Sequence, residues 1–287
     1  MDIQFHLTRL YLLDVHREPC YIFSMLVFLK LGGSLITDKD RSYTPRLDLL
    51  NDLARQIFSS LQDNPDLHIL LGHGSGSFGH QPASKFGTRN GVSGQKGWHG
   101  FAEVWHQASL LNRLVVDALS SAGLPVITIS PSSAVRTRDR KVVLWDLSPI
   151  KTSLERSLLP VIYGDVVFDE VLGGTILSTE ELFAHLAPSL HPGRILLAGS
   201  EAGVWEDFPA RKCLIPDITP SVLSRYSSAL GKSSGTDVTG GMQTKITSML
   251  ALAEQMQGLE ILIFSGQEPG NLQHALQGEN PGTLLHR

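Results

Sequence analysis

Residues 67–80 read Leu67-His68-Ile69-Leu70-Leu71-Gly72-His73-Gly74-Ser75-Gly76-Ser77-Phe78-Gly79-His80. A short apolar run, Leu67 to Leu71, passes directly into a segment of glycines, hydroxyls and histidines. A run of this length bounded by glycines predicts a buried strand. Few structural turns need so many glycines in succession. Bare glycine backbone lets N–H groups approach an anion closely, and a helix beginning just after would add the positive partial charge of its free N–H groups. The stretch therefore predicts a strand whose carboxyl end meets a phosphate.

The same alternation extends in both directions. Short apolar runs recur at Leu26 to Leu31, Pro125 to Ile129, Leu159 to Tyr163, Arg194 to Ala198 and Leu259 to Phe264. Between them, Asp48 to Leu61, Phe101 to Ala122, Glu180 to Leu190 and Lys245 to Gln257 have helical apolar spacing. This pattern predicts an α/β fold, an open and mainly parallel sheet sandwiched by helices. Ligands of such sheets bind at the carboxyl ends of the strands. Gly173-Gly174 is the expected seam between two closely packed lobes, 25–173 for the phosphate acceptor and 174–287 for the nucleotide. Residues 1–24 lack the features of a secretory signal and read as a dispensable extension, with Met25 as the expected natural start.

The composition narrows the class. The chain has 287 residues, 42% of them hydrophobic, enough for a substantial core. Its 28 acids against 24 Lys and Arg give a net charge of -4, which offers no general attraction to nucleic acid or to an anionic membrane. The two cysteines, Cys20 and Cys213, make neither a disulfide framework nor a zinc set, and they point to a reducing cytoplasm. The apolar run Tyr21 to Leu29 is about half the length that spans a bilayer.

Three further segments carry chemistry. The first strand runs into Lys30-Leu31-Gly32-Gly33-Ser34, a lysine and bare backbone at a strand end; it is a phosphate site or a tight turn with a solvated lysine. Asp237-Val238-Thr239-Gly240-Gly241-Met242-Gln243-Thr244-Lys245 places two glycines before a helix and a lysine about one turn inside it, which suits a nucleotide phosphate or a plain helix start capped by Thr239. Tyr163-Gly164-Asp165 ends a strand, where Asp165 either orients a lysine or contacts metal-bound water, while Asp169 reads as a turn residue. Two patterns mislead. Gly74, Gly76 and Gly79 satisfy a dinucleotide fingerprint but follow the second strand, and Glu103, the acid at about the right distance, is not preceded by a strand. Gly231-Lys232-Ser233 resembles the end of a Walker A loop, yet Tyr226 occupies the position of its first glycine.

Taken in order, these segments resemble the amino acid kinase family, whose members phosphorylate small acids. The likeness covers roughly residues 25–287 and is strongest for the branch whose acceptor is isopentenyl phosphate, through Lys30 to Ser34, Asp38-Lys39, Gly74 to His80, Gly164-Asp165 and Asp237 to Lys245. The ending Gly-Ser-Phe-Gly-His at His80 separates phosphate and phosphonate kinases of the family from its carboxylate kinases. The resemblance implies ATP against Lys30, Gly32, Gly33, Ser34, Gly76, Gly203, Gly241 and Lys245. It implies Lys39 near the transferring phosphoryl group, and acceptor contacts from Ser75, Gly79, His80, Gly164 and Asp165. His80, Lys39, Lys30 and Lys245 are thereby the expected catalytic set, with Mg2+ accompanying ATP and a homodimer as the expected assembly. The chain departs from the family at Ser200-Glu201-Ala202-Gly203-Val204-Trp205, where many relatives carry Asp-x-Asp-Gly-Val/Ile-Tyr and this sequence has Ala202 for the second acid.

These residue types suit transfer to a phosphate. A phosphate monoester, with a second pKa of about 6, is already a nucleophile at neutral pH and needs no general base. Two anions must instead be brought together in line, which calls for cations and N–H donors. His80, as donor or imidazolium, would neutralise the acceptor. His73, His99 and His106 form no convincing metal set with it. Trp98, Phe101 and Trp105 either line an apolar acceptor pocket or belong to the core of a helix face. Fosfomycin, a phosphonate with a smaller and more polar tail, is the alternative acceptor, and a non-catalytic nucleotide sensor is the reading that the altered 200–205 segment suggests.

Overall fold

The computed structural model describes residues 25–226 and 241–287. The strands are β1 Met25–Leu31, β2 Leu67–His73, β3 Val126–Thr128, β4 Val135–Arg138, β5 Lys141–Trp145, β6 Leu159–Tyr163, β7 Asp165–Asp169, β8 Gly173–Leu177, β9 Arg194–Gly199, β10 Val204–Trp205, β11 Leu214–Ile215, β12 Asp217–Ile218, β13 Glu260–Ser265 and β14 Gly282–Leu285. The helices are α1 Gly33–Ile36, α2 Leu47–Asp63, α3 Gly76–Phe86, α4 Gly94–Ser121, α5 Pro131–Ala134, α6 Ser148–Glu155, α7 Thr179–Leu190, α8 Pro220–Tyr226, α9 Gly241–Gln255 and α10 Asn271–Leu276. The segment 1–24, the Gly231-Lys232-Ser233 sequence and residues 237–240 of the third glycine cluster lie outside the described residues.

Eight strands form one sheet in the order β12-β14-β13-β9-β1-β2-β6-β3, parallel throughout except for the β13–β14 pair. All six apolar runs become strands of this sheet. Period-two alternation along β1 divides the core. Leu26 and Phe28 face one side, packed with Phe183 and Leu186 of α7 and Ile246 and Met249 of α9. Val27, Leu29 and Leu31 face the other, against α2, α4 and α10. In α2 the buried residues Leu50, Leu53, Ala54 and Ile57 follow the i, i+3, i+4, i+7 spacing of a single helix face. Lys30, next on the side of Leu26 and Phe28, is thereby aimed toward the start of α7.

Three features depart from the expectations. A second sheet has the order β5-β4-β7-β8. Gly173-Gly174 opens β8 and pairs with Phe168 and Asp169 of β7, so the expected seam falls inside a hairpin. Helix α4 begins at Gly94 rather than Phe101, with Gly97 and Gly100 inside it. Glycine at 100 has a packing cause: a Cβ there would overlap the Phe86 ring of α3, 2.8 Å from its Cδ1. Among the described residues no helix is long and apolar enough to cross a membrane.

Candidate active site

The carboxyl ends of β1, β2, β6 and β9 open onto one cavity of about 950 Å³. Its centre is built by two glycine segments that interlock. A Cβ on Gly33 would stand 2.6 Å from the Gly76 Cα, and one on Gly74 would stand 2.8 Å from the Gly33 nitrogen. Any side chain at these positions would drive the loops apart. Thr37 staples them, donating from Oγ1 to the Gly33 carbonyl at 2.7 Å and accepting the Ser77 N–H at 3.0 Å. The Gly32 N–H donates to Ala198 O of β9 at 2.8 Å, and that of Gly74 to Leu31 O at 3.1 Å. Gly76 opens α3, so the helix start anticipated after the second strand is present, with His80 one turn along it.

Glu180, in the first turn of α7, organises the cations. Its Oε1 lies 3.0 Å from Lys30 Nζ and 3.7 Å from Lys245 Nζ, joining lysines from β1 and α9 around one carboxylate. Burial alone would raise the Glu180 pKa, but the two ammonium groups outweigh it and hold the carboxyl at about 2. The group stays ionised and fixes both lysines at the cavity wall. The helix supports this placement through a capping box. Ser178 Oγ accepts the Glu181 N–H, and the Glu181 carboxylate accepts the Ser178 N–H at 2.7 Å. Glu181 also takes Arg89 through two hydrogen bonds of 3.2 Å and Arg140 at 2.6 Å.

Of the residues anticipated from the sequence, Lys30, Gly32, Gly33, Ser34, Lys39, Ser75, Gly76, His80, Gly164, Gly203, Gly241 and Lys245 all line the cavity. Two anticipated acceptor contacts do not. Asp165 is buried, and its carboxylate accepts the Val166 N–H at 2.8 Å and the Ser132 N–H at 3.3 Å. Burial is the main cause that raises its pKa to about 6. Those N–H partners, the second in α5, hold the Asp165 carboxylate out of the cavity that Gly164 lines. Gly79 faces Ser75, whose Cβ would lie 2.5 Å from a Gly79 Cβ, so this glycine allows the first turn of α3 to close on the loop.

The remaining candidates have structural places. His73 is fully buried, stacked on Tyr163 at 5.4 Å and hydrogen-bonded through Nε2 to Asn112 at 3.1 Å. Its pKa is lowered chiefly by burial. Phe101 is core, packed with Ala83, Val92, Val104 and Val166, while Trp98 and Trp105 are exposed and do not line the cavity. The apolar wall is formed by Ala83, Val104 and Ile176 instead. Asp169, expected in a turn, is the last residue of β7 and holds the turns beside it, accepting the N–H groups of Asp139, Arg140, Val171 and Leu172. Among the described residues no three His, Cys, Asp or Glu side chains stand together as a metal site. Sequence reading missed Glu180 as a site residue, although Ser178-Thr179-Glu180-Glu181 after an apolar run is a helix-start signal that would have put an acid beside the strand ends.

A cavity at the carboxyl edge of a parallel sheet, walled by interlocked glycine loops and by Lys30, Lys39 and Lys245, defines an α/β protein that handles phosphate. The chain belongs to the amino acid kinase family, which residues 25–265 match. It is 34% identical over 270 residues to an isopentenyl phosphate kinase of Methanocaldococcus jannaschii, covering 91% of this chain and 98% of that one. An isopentenyl phosphate kinase of Arabidopsis thaliana is 30% identical over 224 residues, covering 72% of this chain and 67% of the relative. Among solved structures, one described as isopentenyl phosphate kinase superposes with a TM-score of 0.75 at 29% identity, covering 90% of this chain and 98% of the other. The UMP kinase of Ureaplasma parvum shares the fold, with a TM-score of 0.61 at 14% identity.

Proposed function

We propose that this chain transfers the γ-phosphoryl group of ATP directly to isopentenyl phosphate, giving isopentenyl diphosphate and ADP for isoprenoid synthesis. The observation that carries the acceptor is one continuous cavity in which a histidine and four lysines, Lys30, Lys39, Lys85 and Lys245, adjoin an apolar wall. Ala83 stands one turn beyond His80 on α3, and Val104 and Ile176 complete the surface beside it. A phosphate head at His80 thus has its hydrocarbon tail against methyl groups, where removal from water contributes about 25 cal/mol per Å² of apolar surface.

In this reading the acceptor dianion attacks in line, and no side chain needs to remove a proton. Lys30 and Lys245, oriented by Glu180, hold the nucleotide phosphates together with the N–H groups of the interlocked loops. Lys39 faces the transferring group, and His80 and Gly164 hold the acceptor head. Magnesium bound with the nucleotide would offset charge on its phosphate oxygens. A homodimer in the cytoplasm completes the proposal, resting on the family resemblance and on the cysteine content. The test is ADP release from ATP and magnesium with isopentenyl phosphate, fosfomycin or a carboxylate as acceptor. Turnover on isopentenyl phosphate well above the other two is expected; preference for fosfomycin would move the assignment to a phosphonate kinase, and no turnover with any acceptor would leave a nucleotide sensor.

A further inference from the structure

The β10–β11 hairpin carries charged groups that the chemistry above does not use. Glu201, just before β10, accepts Arg211 through Nε at 2.9 Å and a terminal nitrogen at 2.8 Å, and Trp205 Nε1 at 3.1 Å. The guanidinium also lies over the Phe208 ring, its Cζ 5.2 Å from the centroid. The hairpin turn fixes this arrangement: Asp207 accepts the N–H groups of Lys212 and Cys213, and the Glu206 N–H donates to Cys213 O. Arg211 is held at φ 53, a left-handed conformation uncommon for a residue with a side chain.

Glu201, Arg211 and Lys39 all line the cavity. Burial would raise the Glu201 pKa, but the hydrogen bonds from Arg211 and Trp205 overcome it, and Lys39 adds an attraction of its own. Among the described residues Lys39 forms no ion pair with a carboxylate. A carboxylate within the electrostatic reach of a phosphate-binding lysine is a competitor for it, and it also repels an incoming polyanion. Engagement of both Glu201 oxygens by a guanidinium removes both effects.

We propose that Arg211 is a positioning residue for phosphoryl transfer, acting by holding Glu201 away from Lys39 and neutralising it. The inference rests on the reading of Lys39 as a phosphate-contacting cation. A role as a mere strut for the hairpin makes a different prediction, because a strut matters whether or not residue 201 is charged.

A double-mutant cycle separates the two. kcat/KM for ATP would be measured at saturating isopentenyl phosphate for wild type, Arg211→Gln, Glu201→Gln and the double variant. Arg211→Gln alone is expected to lose about tenfold or more, while in the Glu201→Gln background the same change is expected to cost less than about threefold. An equal loss in both backgrounds, or no loss in either, overturns the proposal. Lys39→Gln, assayed in parallel, distinguishes the failures. If it retains wild-type kcat/KM, the reading of Lys39 falls and the inference falls with it; if it is impaired while the cycle shows no coupling, only the role of Arg211 is overturned.

Discussion

Two carboxylates give this protein opposite pH responses. Glu180 titrates at about 2 in the folded protein, below its usual 4.5, so folding favours its ionised form. The resulting stability is present above about pH 4.5 and is lost as pH falls toward 2, a difference of about 3 kcal/mol. Glu180→Gln should therefore flatten the acid limb of the stability curve measured by urea unfolding. It should also reduce kcat by about 100-fold or more, because Lys30 and Lys245 lose the anion that orients them. Wild-type turnover in that variant would contradict the organising role. Asp165 behaves in reverse: with its pKa raised to about 6 from 3.8, folding favours the protonated form. Its contribution is full below about pH 4 and declines as pH rises to 6, again by about 3 kcal/mol. Asp165→Asn should gain stability relative to wild type between pH 4 and pH 7, and a pH-independent difference would exclude that titration. The helix-start signal at Ser178-Thr179-Glu180-Glu181 places an acid beside the strand ends, but nothing in it pairs Glu180 with lysines that come from β1 and α9. Asp165 follows a glycine that does line the cavity, and only its hydrogen bonds from the Val166 and Ser132 N–H groups turn its carboxylate elsewhere.

At the scale of elements, the first turn of α7 does three things at once. It caps the helix through Ser178 and Glu181, presents Glu180 to the lysines, and clamps Arg89 and Arg140 through Glu181. Ser178→Ala removes the cap alone and should cost about 1 kcal/mol in chemical denaturation. Glu181→Ala also leaves two arginines without their carboxylate and should cost about 2–3 kcal/mol. Equal costs would mean that the clamp adds nothing. The interlocked loops make a sharper prediction. Gly33→Ala has no room for its methyl beside Gly76, so calorimetry should find ATP binding weakened by about tenfold or more, and unchanged affinity would contradict the close approach. Sequence signals served the long elements well. Leu50, Leu53, Ala54 and Ile57 carry the helical period of α2, and each apolar run of the main sheet lies between glycine, proline or polar segments. They failed at β4, β5, β7 and β8, strands of only four or five residues: β5 has much of its surface exposed, as at Val143 and Leu144, while β7 and β8 are mostly buried but follow β6 too closely to read as separate runs. In α4 the spacing of Gly94, Gly97 and Gly100 imitates a loop: Gly94 opens the helix at φ 63, and Gly100 is required by its close approach to Phe86 of α3, which no local pattern reveals.

For the whole molecule, the architecture explains why residues distant in sequence meet. The parallel strands β13, β9, β1, β2, β6 and β3 put their carboxyl ends on one edge, so Lys30, His80, Gly164 and Gly203 converge although they are spread over some 170 positions, and α9, packed beside α7, adds Lys245. The family match begins at residue 25, where β1 begins. A chain starting at Met25 should therefore unfold cooperatively with stability close to that of the full chain, and failure to fold would show that residues 1–24 are integral. Direct transfer from ATP to a phosphate acceptor held beside an apolar wall can be followed by incubating the protein with ATP labelled in its γ-phosphate, magnesium and isopentenyl phosphate, then locating the label. Label is expected in the terminal phosphate of isopentenyl diphosphate, formed in step with ADP and strongly reduced in His80→Ala. Label recovered only as inorganic phosphate, or retained in ATP, would contradict direct transfer.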